Sequence, residues 1–125
     1  ETGVFCVNIV SKELLNQMNS SSETLSRDRD EFEYAGLDKH PCKTIKCSRV
    51  ALTPAALECC LTQIVKLKGQ NNFAAFAEVT GIYINDDLLE NGKLDVSKFV
   101  PVGRLGYRDY TYLTDLFELK RPDDN

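Results

Sequence analysis

Residues 73–84 read FAAFAEVTGIYI, a stretch rich in Phe, Val, Thr, Ile and Tyr that contains no proline. That composition suits a pleated, half-buried surface, so a long strand is predicted here. Gly81 in its interior predicts a bulge or a close approach by a neighbouring group. The β-branched and aromatic run VFCVNIV (4–10) predicts a second, buried strand. Residues 53–67, TPAALECCLTQIVKL, admit two readings. Thr53 as cap and Pro54 at the first helical position suit a helix. Leu57, Cys59 and Leu61, alternating with Glu58, Cys60 and Thr62, suit a half-buried strand. GQNN (69–72) is a turn. Strands outnumber helices, so the expected fold is a mainly antiparallel β-barrel with small helical decorations.

Between these runs the chain is more polar. SKELLNQMN (11–19) predicts a helix capped by Ser11, with Leu14, Leu15 and Met18 on one face. The Ser-rich stretch 20–30 reads as a loop. DEFEYAGL (30–37) predicts a short helix, with Asp30 and Glu33 in capping-box positions and Gly36 at its end. Residues 38–49 read as an extended connector, and Pro41 turns His40 away from helical backbone. Asn91-Gly92 predicts a tight turn. The tail 99–119 reads as short β segments with at most one helical turn.

With 125 residues, one domain covering 1–125 is expected. Apolar runs are only a few residues long, too short for a membrane-spanning helix, and the first residues carry no secretory leader pattern. The net charge is −4, with Lys and Arg scattered among Asp and Glu. A nucleic-acid binder needs a basic stripe and a membrane-surface protein a basic face, so neither nucleic acid nor membrane is an expected partner. Five cysteines without a leader predict free thiols in a reducing, cytoplasmic setting.

Metal and catalytic motifs are weak. His40, Cys42 and Cys47 lack the paired spacing of a zinc site. Cys59-Cys60 is not the Cys-x-x-Cys of a redox pair. In NDDLLENGKLD (85–95), Leu89 falls where a calcium loop needs an oxygen ligand. No nucleophile elbow, phosphate loop or dinucleotide glycine fingerprint is present. No catalytic residue is therefore assigned, and any enzymatic chemistry must come from a cofactor. Residues 102–112, VGRLGYRDYTY, concentrate Arg104, Arg108, Tyr107, Tyr110 and Tyr112 around Gly103 and Gly106. Guanidinium and phenol rings stack on flat heteroaromatic rings, so a ligand rim is one reading. A strand end with ordinary turn chemistry is the other.

Six segments, TGVFCVNIVS (2–11), DEFEYAGL (30–37), ALECCLTQIVKL (56–67), AEVTGIYI (77–84), GRLGYRDY (103–110) and LFELKRP (116–122), stand in the order and spacing of one family. Together they resemble the flavin-reductase-like, FMN-binding split-barrel family. The resemblance implies a split antiparallel β-barrel with a few short helices, forming a homodimer that holds FMN near the subunit interface. It implies that 56–67 is a strand, with Leu57, Cys59 and Leu61 on one face. It also implies hydride transfer from NAD(P)H to the flavin in the complete protein. Asn8, Phe32, Arg104, Tyr107 and Tyr110 are carried over as cofactor-binding residues. Family members usually have a second glycine after Arg-Leu-Gly, where this chain has Tyr107. By the same resemblance the chain corresponds to the C-terminal part of the domain, without the N-terminal strands that hold the FMN phosphate. A dimeric split-barrel fragment that binds no flavin by itself is the alternative.

Overall fold

A computed structural model describes residues 3–21 and 36–123. Its centre is a three-stranded antiparallel sheet in the order β1-β4-β5, formed by β1 (Val4–Asn8), β4 (Ala55–Lys66) and β5 (Phe73–Ile84). Residues 55–66 are thus a strand. Thr53, the cap of the helical alternative, is fully buried. Its hydroxyl lies 2.7 Å from the Ile9 carbonyl and 2.9 Å from that of Ala55. That proton is spent on carbonyls, so none of the capping geometry forms, and β1 and β5 supply the hydrogen bonds that a helix would have drawn from itself.

The β4–β5 hairpin carries two bulges. Pairing passes from Glu58↔Gly81 to Cys59↔Val79, leaving Thr80 extra, and from Leu61↔Ala77 to Gln63↔Phe76, leaving Thr62 extra. Each extra residue is a threonine whose hydroxyl reaches across the ladder. Thr62 Oγ1 donates to the Phe76 carbonyl at 3.0 Å, and Thr80 Oγ1 lies 3.3 Å from the Glu58 carbonyl. Gly81 fulfils both of its expectations. It stands beside a bulge, and a Cβ there would lie 2.9 Å from Glu58 Oε1.

Residues 38–49 are not an extended connector. They form a hairpin of β2 (Lys39–Pro41) and β3 (Ser48–Val50), with His40 opposite Arg49. The loop between them closes through Cys42 N–H donating to the Cys47 carbonyl at 2.8 Å. Two further hairpins follow. β6 (Leu89–Glu90) and β7 (Lys93–Leu94) are joined by Asn91-Gly92, both at positive φ, as this turn requires. β8 (Val102–Arg104) pairs with β9 (Tyr110–Tyr112). Residues 99–119 contain no helical turn; a 3-10 turn precedes them at Val96–Lys98.

Helical structure is sparse: a 3-10 turn at Lys12–Leu14 runs into α1 (Leu15–Ser21). Ser11 holds the cap position in extended backbone, but its side chain makes no capping bond. The donors nearby are already engaged: Lys12 N–H donates to Val100 O, and Leu14 N–H to Ser11 O. The short helix expected at 30–37, including Phe32, lies outside the described residues. The buried apolar set among the described residues is small: Leu14, Ile45, Ala55, Ala56 and Cys59. On β5, by contrast, Phe73, Phe76, Val79 and Ile82 are exposed.

Candidate functional site

The β8–β9 hairpin turns through Leu105–Asp109. Leu105 N–H donates to Asp109 O at 2.9 Å, and Asp109 N–H to Gly106 O at 2.8 Å. Tyr107 sits at the first central position of that inner turn with φ +51°. Left-handed backbone is the conformation glycine adopts without steric cost, which accounts for a glycine being usual at this place in the resembling family. Here Arg104 holds the turn from beneath, its Nη2 donating to the Tyr107 carbonyl at 2.6 Å. The Arg104 guanidinium lies 5.6 Å from the Tyr110 ring centre, and the Arg108 guanidinium 5.1 Å from that of Tyr107.

α1 faces this hairpin across a cleft of about 520 Å³, lined by Leu15, Asn16, Asn19, Arg104, Tyr107, Arg108 and Tyr110. The volume falls within the range of small-molecule sites. Three residues expected at the rim, Arg104, Tyr107 and Tyr110, are brought together here. Asn8 is not with them. As the last residue of β1 it accepts a 2.9 Å hydrogen bond from Val50 N–H on β3. It lines a smaller cleft of about 210 Å³ with Ile9, Val10, Leu14, Met18, Leu37 and Val50. Phe32 lies outside the described residues. Sequence reasoning missed Asn16 and Asn19, although their spacing of three puts them on one helical face.

A second polar centre lies on the other side of the sheet's bulge. Glu58 is buried on β4. Its Oε2 accepts from Lys43 N–H at 3.0 Å, and its Oε1 from Thr44 N–H at 2.8 Å and the Thr44 hydroxyl at 2.7 Å. The Thr44 side chain, then the backbone donors, hold the Glu58 carboxyl below the usual carboxylate range, against burial that raises it. Thr44 Oγ1 in turn lies 2.7 Å from Thr80 Oγ1. Arg49, also buried, stacks 3.5 Å from the Tyr83 ring centre and donates to the Val50 and Ala51 carbonyls at 3.1 and 2.8 Å. The Glu58 bonds tie the β2–β3 loop to the sheet. Every Glu58 oxygen bond is a structural one, so the carboxylate is an anchor. Beside it, burial first and a hydrogen bond to Cys6 second push the Cys42 thiol up to about 12. Such a thiol stays protonated at neutral pH and is a poor nucleophile. All five cysteines are free.

The sequence matches the flavin reductase like domain over residues 1–113. The chain belongs to the flavin reductase-like family. An uncharacterised protein of Deinococcus radiodurans is 35% identical over 123 residues, covering 95% of this chain and 53% of that relative. Among solved structures, the 2-nitrobenzoate 2-nitroreductase of Pseudomonas fluorescens superposes with a TM-score of 0.84 at 28% identity, over 98% of this chain and 61% of that one. A flavin-reductase protein with a split barrel domain from Shewanella frigidimarina gives 0.83 at 20% identity, over 97% and 62%. That last likeness establishes the fold alone: a mainly β split barrel with few helices, as the sequence led us to expect. The chain spans little more than half the length of these relatives.

Proposed function

We propose that the cleft between α1 and the β8–β9 hairpin borders the ring of FMN in a flavin-dependent oxidoreductase that takes hydride from NAD(P)H. The observation that carries this reading is the convergence of Arg104, Tyr107, Arg108 and Tyr110 on one cleft in a chain of the flavin reductase-like family. The cleft fits a flat, polar-edged ring. It offers two phenol rings for stacking, two guanidiniums and two side-chain amides for ring oxygens and nitrogens, and Leu15 as an apolar wall. When bound, the flavin supplies the two-electron redox chemistry. The chain's own residues bind and orient it. No proton-transfer role is assigned to the side chains that line the cleft.

A homodimer is part of the proposal, and the exposed apolar side chains of β5 support it. Cytoplasmic location fits the free thiols. Stacking and cation–π contacts at the cleft contribute about 1–3 kcal/mol to binding. Association costs on the order of 4–15 kcal/mol, so these contacts alone hold the flavin weakly. FMN fluorescence titrated with the 125-residue chain is therefore expected to quench saturably, with a dissociation constant weaker than about 1 µM. No quenching up to about a thousandfold higher concentration would favour the alternative, a dimeric split-barrel fragment that does not bind flavin by itself.

A further inference from the structure

One cluster of reactive side chains takes no part in the α1–hairpin cleft: the thiols around the Glu58 anchor. Cys6 stands directly across the β1–β4 ladder from Glu58, so both side chains leave the same face of the sheet. The Glu58 carboxylate in turn holds the backbone N–H groups of Lys43 and Thr44. Cys42, the residue just before them, is thereby brought down onto Cys6, although the two are far apart in the chain. Their sulfurs are hydrogen-bonded, with the Cys42 S–H donating to Cys6. Both residues are only half-buried. Two of the other thiols are engaged elsewhere. Cys59 pairs with Phe5, which puts it on the opposite face, and its S–H donates to the Leu57 carbonyl at 3.6 Å. The Cys47 thiol donates to the Ser48 carbonyl at 3.6 Å. Cys60, opposite Val4, shares the face of Cys6 but lies two residues further along β4.

From this juxtaposition we infer that Cys6 and Cys42 form a dithiol that small-molecule disulfides of the glutathione class oxidise, and that the resulting Cys6–Cys42 bond locks the β2–β3 loop to β1. The reaction is two displacements. The Cys6 thiolate attacks one sulfur of the reagent; a bond to Cys6 forms, the reagent's S–S bond breaks, and half of the reagent leaves as a thiolate. The Cys42 thiolate then attacks the Cys6 sulfur and expels the other half. The protons that the two cysteines lose are taken up by the two leaving thiolates. Two protein thiols are oxidised to one disulfide, and the reagent is reduced to two thiols. The hydrogen bond sets the order. Burial raises the Cys6 thiol, but the Cys42 S–H lowers it, so Cys6 attacks first. On Cys42, burial is followed by the bond to Cys6 and the charge on Cys6 as causes that raise the thiol. The last two vanish once Cys6 is in a mixed disulfide, so Cys42 becomes easier to ionise when the second step needs its thiolate. The disulfide adds a covalent tie where the Glu58 hydrogen bonds already anchor the loop, and a cross-link between such distant residues constrains the unfolded chain. None of this depends on the flavin reading above.

The test uses the chain as it stands, equilibrated in buffers of reduced and oxidised glutathione. Remaining thiols are alkylated under denaturing conditions, and the intact and digested chain is read by mass spectrometry. As the buffer becomes more oxidising, two of the five free thiols should be lost together, with one cross-linked peptide pair joining Cys6 to Cys42, and dithiothreitol should restore both. Cys42→Ser should stop the reaction at a glutathione adduct on Cys6, because the second displacement has no thiol. Cys6→Ser should leave Cys42 unmodified in the same buffers. The cross-linked chain should unfold at a higher urea concentration than the reduced chain. Retention of all five thiols, a cross-link through Cys47, Cys59 or Cys60 instead, or a Cys6–Cys42 cross-link that leaves the urea midpoint unchanged would overturn the inference. The cross-link map is made on the parent chain, so it decides the matter even where a substitution disturbs folding.

Discussion

Tyr107 concentrates the features of the candidate site in one residue. It is 80% exposed, so its ring buries little, yet its backbone is held at φ +51°. A non-glycine residue there costs of order 1–3 kcal/mol. Glycine would remove that strain, but it would also loosen the unfolded chain by roughly 0.5–1 kcal/mol and forfeit the Arg108 contact. These effects nearly cancel. Tyr107→Gly is therefore expected to change unfolding free energy by less than about 0.5 kcal/mol, whereas Tyr107→Val, β-branched at positive φ, should cost about 1–2 kcal/mol. Urea unfolding of both variants checks this; a large loss in Tyr107→Gly would mean that the ring packs more than its exposure suggests. The departure from the family's glycine was visible in the sequence. The positive φ that makes it informative was not, because it depends on the Arg104 bond and on turn closure.

At the scale of elements, the clamp between the β2–β3 loop and β4 controls how the sheet responds to acid. Hydrogen bonds depress the Glu58 pKa in the folded state, the Thr44 side chain contributing most. A depressed carboxylate adds stability that is fully present above its unfolded value, about 4.3, and is lost as pH falls through its folded value. Thr44→Val keeps the shape and removes the hydroxyl donor, so it should cost about 1–2 kcal/mol at pH 7. The gap from the parent chain should narrow as the pH is lowered to about 3. Urea unfolding at the two pH values measures it, and a gap independent of pH would contradict the assigned cause. The sequence revealed the strands themselves, the Asn91-Gly92 turn and the Gly81 bulge, since each is written in local residue chemistry. The clamp was hidden because Thr44 and Glu58 are far apart in the chain. For the same reason 38–49 read as a connector when it is a hairpin folded against the sheet. Periodicity left residues 53–67 undecided, since alternation and helical spacing coexist there; the family resemblance implied a strand over 56–67, and pairing with β1 and β5 bears it out.

Over the whole molecule, the described core is thin, while Phe73, Phe76, Val79 and Ile82 on β5 and Phe117 and Leu119 near the C-terminus stand exposed. Exposed apolar surface of this kind favours docking or aggregation. With the proposed homodimer covering it, size-exclusion chromatography with light scattering at micromolar concentration should return about twice the 14.1 kDa chain mass. A clean species at the chain mass would contradict the dimer. The family and its split-barrel architecture were legible from the six segments in order, because their spacing reports the fold as a whole. The site was legible in part: Arg104, Tyr107 and Tyr110 meet in one cleft. Asn8 was carried over from the family resemblance; it accepts a hydrogen bond from Val50 N–H that ties β1 to β3, away from that cleft.

The central claim is that the cleft between α1 and the β8–β9 hairpin receives the flavin ring, and resonance-by-resonance titration of the labelled chain with FMN tests it most directly. The account predicts saturable shifts at Arg104, Tyr107, Arg108 and Tyr110 and at Asn16 and Asn19 across the cleft, with Thr44 and Glu58 unmoved. Shifts confined to the Glu58 centre or to the Asn8 cleft, or none at all at millimolar FMN, would contradict it.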